Sequence, residues 1–110
     1  MVYGRAGWRA IVEMIDHDIA DLVVEHHHFV GERDLVSHHM TMRGRHRAST
    51  MPLWSGALAQ GQQVAWRFMH LWRVQDGQIV EHWACRDDLG LLAQVGLWHR
   101  PQTDETGDGR

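Results

Sequence analysis

Histidine and tryptophan are the residues of this chain whose types and numbers most suggest chemistry. Its 110 residues include ten histidines and six tryptophans, against one tyrosine and two phenylalanines. Imidazole accepts or donates a proton near neutral pH, and indole supplies a large apolar surface with one N–H donor. This combination is typical of a ligand pocket, although a histidine-rich surface and an aromatic core would explain most of these residues as well.

His70 is the strongest candidate for a catalytic group. Because side chains alternate between the two faces of a strand, His70 shares one face with Trp66 and Phe68. An aromatic environment desolvates the imidazole, lowers its pKa and keeps it neutral and able to accept a proton. The alternative is a structural histidine satisfied by one hydrogen bond, and the alternation does not separate the two.

A hairpin is predicted to bring further polar groups to His70. Asp76 and Gly77 are a strong two-residue turn signal, which places residues 80–84 opposite residues 70–72. We therefore expect His82, and with it Asp87, to form a small polar cluster with His70. Asp87 is equally well explained as the N-cap of a following helix.

Other kinds of site lack their sequence signals. Two histidines and a carboxylate could hold a metal, but no spacing matches a metal motif, so we expect no metal. Consecutive strand residues face opposite ways, so at most two of the histidines at 26–28 can converge, and a solvated edge or dimer surface is the expected role. No phosphate loop or hydrolase elbow is present, and the basic residues do not form a nucleic-acid platform with exposed aromatics.

The elements that must position these residues indicate an α+β fold. We expect a helix over 7–15 with Trp8, Ile11, Val12 and Ile15 on one face. Strands are predicted over 20–30, 35–43, 62–74 and 78–85, with a turn at 31–34, a loop over 45–61 and a final helix over 89–95. In the second strand His38 and Met40 share a face, which we expect to line the pocket. Arg67 and Arg73 are expected on the opposite face of the third strand.

Length and composition fit one domain over residues 1–100, followed by a polar tail, 101–110, that we expect to be disordered. The net charge of −3, with 44% hydrophobic and 23% charged residues, argues against a polyanion as partner. The single cysteine, Cys85, cannot form an intramolecular disulfide and is expected to be a small buried residue. No signal peptide or membrane-spanning segment is evident, so we expect a cytoplasmic protein with no membrane partner.

The stretches RVQDGQIVEHW (73–83) and LLAQVG (91–96) resemble, in register, the SnoaL-like polyketide (ester) cyclase family of the nuclear-transport-factor-2-like (NTF2-like) superfold. The similarity extends over about residues 7–96, and 44–46 resemble the family's Gly-Thr/Arg-His turn. It implies a cone, in which a curved antiparallel sheet wraps around a pocket closed by helices. It also implies a cofactor-independent closure of a polyketide ester, in which a carboxylate removes a proton next to a carbonyl.

The resemblance assigns roles residue by residue. The family's pocket histidine falls on His70, and a common family aspartate at the start of a helix falls on Asp87. The catalytic carboxylate of characterised cyclases falls on Ala84, and a pocket glutamine falls on Phe68. Family members also begin with two further helices that cover the cone, so we expect these helices to be shortened or missing here and a homodimer to cover the apolar walls.

The expected function is a cofactor-independent cyclase or isomerase acting on a small hydrophobic carbonyl compound. The catalytic candidates are His70, His82 and Asp87. The expected substrate-binding residues are His38, Met40, His46, Trp66, Phe68 and Trp83. The alternatives are a non-catalytic binding module for a small hydrophobic or aromatic ligand and a dimeric adaptor domain.

Overall fold

A computed structural model describes residues 4–99 of the chain. Helix α1 (Gly4–Asp18) leads directly into strand β1 (Ile19–Glu32), which is followed by β2 (Leu35–His46), β3 (Gln63–Gln75) and β4 (Gln78–Arg86). A short 3-10 helix (Pro52–Trp54) lies between β2 and β3, and helix α2 (Asp88–Gln94) follows β4. The fold is α+β, as the sequence predicts.

The four strands form one antiparallel sheet in the order β1-β2-β3-β4. The β3–β4 turn is the predicted one, and Asp76 and Gly77 both take positive φ, 52° and 74°. This is the geometry of the tight hairpin turns that match strand twist. The turn pairs Gln75 with Gln78, and a register shift between Arg73 and Val74 then brings His70 opposite Ala84 and Trp72 opposite His82.

The hydrophobic core lies on one face of the sheet, which we call the inner face. Alternate residues of β3, Val64, Trp66 and Phe68, are buried there, and Leu91 of α2 and Ile15 of α1 pack into the same cluster. Residues of the opposite parity, such as Arg67 and Met69, are exposed. The inner face is therefore the one that the helices cover.

Asp18 links the end of α1 to the β2–β3 connection. Its carboxylate is fully buried and accepts hydrogen bonds from the Met51 amide and Trp54 Nε1, both at 2.8 Å, and from the Thr50 hydroxyl at 2.5 Å. These bonds hold the pKa of Asp18 far below its ordinary value, although burial alone would raise it. The predicted helix, 7–15, ends before Asp18, and nothing in the local sequence pattern indicates this role.

Helix α2 begins as expected. The Asp87 side chain accepts a hydrogen bond from the Gly90 amide at 2.9 Å, which is N-cap geometry. Gly96, just past the helix, has φ of 80°, the left-handed conformation that glycine adopts easily at a helix C-terminus. The cap explanation of Asp87 is confirmed.

Several sequence expectations need correction. Residues 44–46 are the end of β2 and not a turn or loop, because they pair with residues at the start of β1 and β3. Val12 is 53% exposed, since the buried face of α1 is narrower than predicted. Cys85 is exposed because it lies on the uncovered face of an edge strand. The predicted tail, 101–110, lies outside the described residues.

Within residues 4–99, no helix is long and apolar enough to cross a membrane.

Candidate functional site

The most distinctive feature of the inner face is a row of histidines that crosses all four strands. We call it the histidine row: His26 on β1, His38 on β2, His70 on β3 and His82 on β4. His38 and His70 are direct register partners, and their ring centroids are 5.6 Å apart. The row is built from two hydrogen-bonded pairs, His26–His38 and His70–His82, each with a nitrogen–nitrogen distance of 2.8 Å.

The His70–His82 pair joins Nδ1 of His70 to Nε2 of His82. His82 reaches His70 diagonally, because its own register partner is Trp72 and the residue directly opposite His70 is Ala84. Within residues 4–99, Nε2 of His70 has no hydrogen-bond partner. The predicted proximity of His70 and His82 thus agrees with the structure, and the pair leaves one reactive nitrogen of His70 free.

Aromatic rings enclose this pair. Phe68 and Trp72 stack on His70 with centroid separations of 5.3 and 5.0 Å, and only 7% of His70 is exposed. Trp8 of α1 contacts His82 at 4.9 Å and Trp72 at 5.8 Å. Trp8 therefore brings the N-terminal helix onto the histidine row, a contact that its helical spacing alone did not reveal.

Burial keeps the paired imidazoles neutral. It lowers the pKa of His70 to about 4, with a smaller contribution from the neighbouring His82 and His38. Burial likewise lowers the pKa of His82 and His38. At neutral pH His70 is therefore an uncharged imidazole that can accept or donate a proton, as expected from its aromatic surroundings.

Asp87 does not join the histidine pair. Its carboxylate accepts from Arg67 at 2.7 Å and from the Gly90 amide, and Arg67 belongs to the outer face of β3. These bonds lower the pKa of Asp87, with the Arg67 bond as the largest cause. The expected cluster of two histidines and a carboxylate is therefore reduced to the two histidines.

The expected substrate-binding residues divide into three groups. Met40, Trp66 and Phe68 lie on the inner face but are buried core residues, and Trp66 Nε1 donates to Asp88 at 3.0 Å. His38 lies in the histidine row.

The remaining two expected substrate-binding residues, His46 and Trp83, lie away from the histidine row. His46 is fully buried against Trp54 at 4.0 Å, and its Nε2 is 2.8 Å from the Ser49 hydroxyl. Trp83 lies on the outer face because its register partner, Leu71, does so. It is 46% exposed and lies under the Arg73 guanidinium.

A β-bulge between His26 and His28 gives the run at 26–28 its unexpected arrangement. His26 faces inward to His38, whereas His27 and His28 both lie beside His39 on the outer face, with centroids 4.6 and 5.4 Å from it. The strict alternation used in the sequence prediction fails here because the bulge inserts an extra residue. His26 was therefore missed as a member of the site.

Two cavities of the described part of the chain lie elsewhere. One, of about 430 Å³, is lined by residues of the β2–β3 connection and the end of α2, including Leu58 and Leu97. The other, of about 240 Å³, lies on the outer side near Met69, Cys85 and Asp87. Neither contains His70 or His82, so a ligand of the histidine row would lie on the inner face rather than in these cavities.

Among the described side chains, no group of three or more histidine, cysteine, aspartate or glutamate residues is arranged to hold a metal ion. The histidine pairs instead satisfy each other, which favours proton transfer and hydrogen bonding as their chemistry.

The curved four-stranded antiparallel sheet with helices on its inner face defines an NTF2-like α+β protein. A model of the SnoaL-like polyketide cyclase family matches residues 2–95. The chain therefore belongs to the SnoaL-like polyketide cyclase family, as the C-terminal motifs predicted. A comparison with functionally curated proteins finds no match.

Solved structures support the same assignment. The chain is 25% identical to AclR, a candidate hydroxylase from Streptomyces galilaeus, with a TM-score of 0.78 over 93% of this chain and 65% of that one. It is 30% identical to IdmH, a candidate polyketide cyclase from Streptomyces antibioticus, with a TM-score of 0.71 over 86% of this chain and 65% of IdmH. TsrD from Streptomyces laurentii is 27% identical, with a TM-score of 0.74 over 84% and 66%. The chain thus spans about two thirds of the length of these relatives.

Proposed function

We propose that this protein catalyses acid/base chemistry at a carbon next to a carbonyl group, in a small hydrophobic substrate that lies on the inner face. The observation that carries the proposal is the hydrogen bond between buried His70 and partly buried His82, with Nε2 of His70 left free among the described residues. Family membership supports a polyketide cyclase or isomerase reaction. AclR, a candidate hydroxylase, has the same fold, so the proposal rests on the proton transfer rather than on ring closure.

The pair suits a base that works without a carboxylate. In one tautomer, Nδ1–H of His70 donates to Nε2 of His82, and the lone pair on Nε2 of His70 is free to take the substrate proton. The resulting positive charge is shared with His82 through the hydrogen bond. A pKa of about 4 makes His70 a weak base in the free protein, but an enolate that forms beside it raises that pKa by opposite charge.

The opposite tautomer provides the second half of the chemistry. When His82 Nε2–H donates to His70, Nε2 of His70 carries the proton and can donate to the enolate oxygen. Nε2 of His70 thus accepts a proton in the first tautomer and donates one in the second, while the proton in the hydrogen bond moves between the two rings. Every group in this scheme is supplied by the chain itself.

The proposal is tested by proton exchange on a simple aromatic ketone. We expect the protein to accelerate deuterium incorporation at C1 of 2-tetralone in D₂O, measured by mass spectrometry. His70→Gln should lower the protein-catalysed rate by about a hundredfold or more, the usual size of a general-base contribution. His39→Gln is the matched control, because His39 lies on the outer face and should leave the rate unchanged.

Circular dichroism must show that both variants are folded. Exchange that continues at the wild-type rate in folded His70→Gln would remove His70 from the mechanism. A wild-type protein that binds the ketone without accelerating exchange would support the second candidate function instead.

That second candidate is a non-catalytic module that binds a small aromatic ligand. One observation favours it: Ala84 stands opposite His70, where the family resemblance places the catalytic carboxylate. Under this alternative Trp8, Trp72 and the histidine row would hold the ligand by stacking and hydrogen bonds.

We further propose that the protein acts as a homodimer. Exposed apolar residues of the edge strand β4, Ile79, Val80 and Trp83, are 59%, 48% and 46% exposed. Clustered apolar exposure on an edge strand is commonly covered by a second copy.

A further inference from the structure

The second histidine pair of the row, His26–His38, has no part in the proposed reaction. Nδ1 of His26 lies 2.8 Å from Nε2 of His38, and the two rings stack with centroids 4.9 Å apart. The pair lies next to His70 but is the more open of the two, because His26 is exposed. It is therefore accessible to a ligand that already contacts His70.

The proton count of the pair indicates what it can bind. Two neutral imidazoles carry two ring protons, and one of these lies in the hydrogen bond between the rings. One outer nitrogen is then a donor and the other an acceptor. A single added proton turns both outer nitrogens, Nε2 of His26 and Nδ1 of His38, into donors and gives the pair a positive charge. A carboxylate matches this state, since it only accepts hydrogen bonds and carries the opposite charge.

Among the described side chains, the protein supplies no such anion to the pair. Glu25 lies on the outer face and binds Arg43, and Asp34 binds Arg73 beside the β1–β2 turn. Burial is the main cause that lowers the pKa of His38, followed by the like charges of His26 and His39. The added proton therefore requires compensation from outside the chain.

The other groups that face the pair do not change this balance. Phe29 of β1 stacks on His38 at 4.1 Å, and His70 faces it from β3. His39 lies on the opposite side of β2, and its charge opposes the added proton on His38. Phe29 is 62% exposed and offers an aromatic surface beside the two donors.

We propose that the His26–His38 pair is a carboxylate subsite, which binds the acid group of an aromatic ligand and takes up one proton as it does so. This inference rests on the proposed function in one respect, that the ligand lies on the inner face. It adds that the ligand is an aromatic acid and that its binding is coupled to pH.

Isothermal titration calorimetry with 2-naphthoate and its neutral counterpart 2-naphthamide tests this subsite. Titrations at pH 7 in phosphate and in Tris, which differ in ionisation heat, should show uptake of about one proton per naphthoate and none per naphthamide. Because binding is coupled to the uptake of one proton, the affinity for naphthoate should fall by about tenfold as the pH rises from 7 to 8. Naphthamide binding should be independent of pH over this range.

Variants locate the proton. His26→Gln changes an exposed residue and should abolish both proton uptake and the pH dependence of naphthoate binding, while naphthamide binding stays independent of pH. His27→Gln is the matched control. His27 is next to His26 in the chain, but its side chain faces outward and contacts Thr41. His70→Gln should preserve the uptake, which separates this pair from the His70–His82 pair.

Each outcome decides the matter. Naphthoate binding without proton uptake, or uptake that survives in His26→Gln, overturns the carboxylate subsite and leaves the proposed function standing. Uptake lost in His70→Gln but not in His26→Gln assigns the proton to the other pair and overturns this proposal. Failure of the wild-type protein to bind either probe counts against both this inference and the proposed ligand site.

Discussion

Buried imidazoles determine how single residues of this protein respond to acid. Five histidines have a pKa below the ordinary value, with burial as the largest cause in each: His38, His39, His46, His70 and His82. His46 is the most confined of them, since it is fully buried and its Nδ1 has no hydrogen-bond partner among the described residues. Protonation of these rings is therefore unfavourable in the folded state.

Stability should fall as the pH is lowered from about 6.5 towards 4. Below pH 6.5 the histidines of the unfolded chain bind protons while those of the folded protein stay neutral, so the free energy of unfolding decreases. His70, with a pKa of about 4 in the folded state, contributes a loss of about 3 kcal/mol over this window. Urea denaturation followed by tryptophan fluorescence at several pH values measures the effect.

His70→Gln provides the control for this titration. Between pH 6.5 and 4.5 its stability should depend less steeply on pH than that of the wild type, because one titrating group is gone. The carboxylates with lowered pKa, Asp18, Asp34 and Asp87, lose their contribution only below about 3.8 and do not confuse the result. Wild-type stability that stays constant or rises towards pH 5 would contradict this account.

At the scale of elements, two irregularities of β1 decide what its residues contact. The register shifts between His26 and His28 and again between Ala20 and Val23. The first shift sends His26 inward and His27 outward. The second leaves Asp21 with φ of 56° and brings the chain close to Gly44 of β2.

Gly44→Ala should destabilise the protein by about 1–3 kcal/mol, the usual cost of overpacking. A Cβ at this position would lie 2.6 Å from the Ala20 carbonyl oxygen and would overlap the Ile19 side chain. Thermal denaturation followed by circular dichroism measures the loss. Gly31→Ala is the matched control in β1, because its Cβ would meet its nearest neighbour at an ordinary 3.6 Å. Equal melting temperatures for the two variants would contradict the close approach at Gly44.

At the scale of the whole molecule, the outer and edge surfaces remain apolar in places where a second copy would cover them. Trp83, Met69 and Ile79 are each about half exposed, at 46%, 48% and 59%. Arg73 partly covers Trp83, whereas Met69 of β3 and Ile79 of β4 are left about half exposed. This surface is the basis of the proposed homodimer.

Light scattering at micromolar concentration should report twice the mass of one chain. Trp83→Glu should shift the protein towards the monomer, because it places a charge in the proposed interface. Leu58→Glu is the control, since Leu58 is 71% exposed in the β2–β3 connection, away from β4. A wild-type monomer over the whole concentration range would reject the dimer.

Local patterns of the sequence determine a large part of this protein. Alternation predicts the inner-face residues of β2 and β3, Asp76 and Gly77 specify the hairpin, and Asp87 caps α2. These features depend on neighbours within a few residues, so the sequence contains the signals for them. The C-terminal motifs identify the family for the same reason, because the hairpin and the helix that carry them are continuous in the chain.

Only the tertiary structure decided which side chains meet across distant segments. The Asp18 hydrogen bonds join residues more than thirty positions apart, Trp8 reaches His82, and a bulge turns His26 towards His38. Such contacts follow from strand register and helix packing, for which a single sequence carries no local signal. The same physical reason separates Asp87 and Trp83 from His70. Asp87 binds Arg67 instead, and Trp83 lies on the outer face, and both outcomes are determined only when the sheet is assembled.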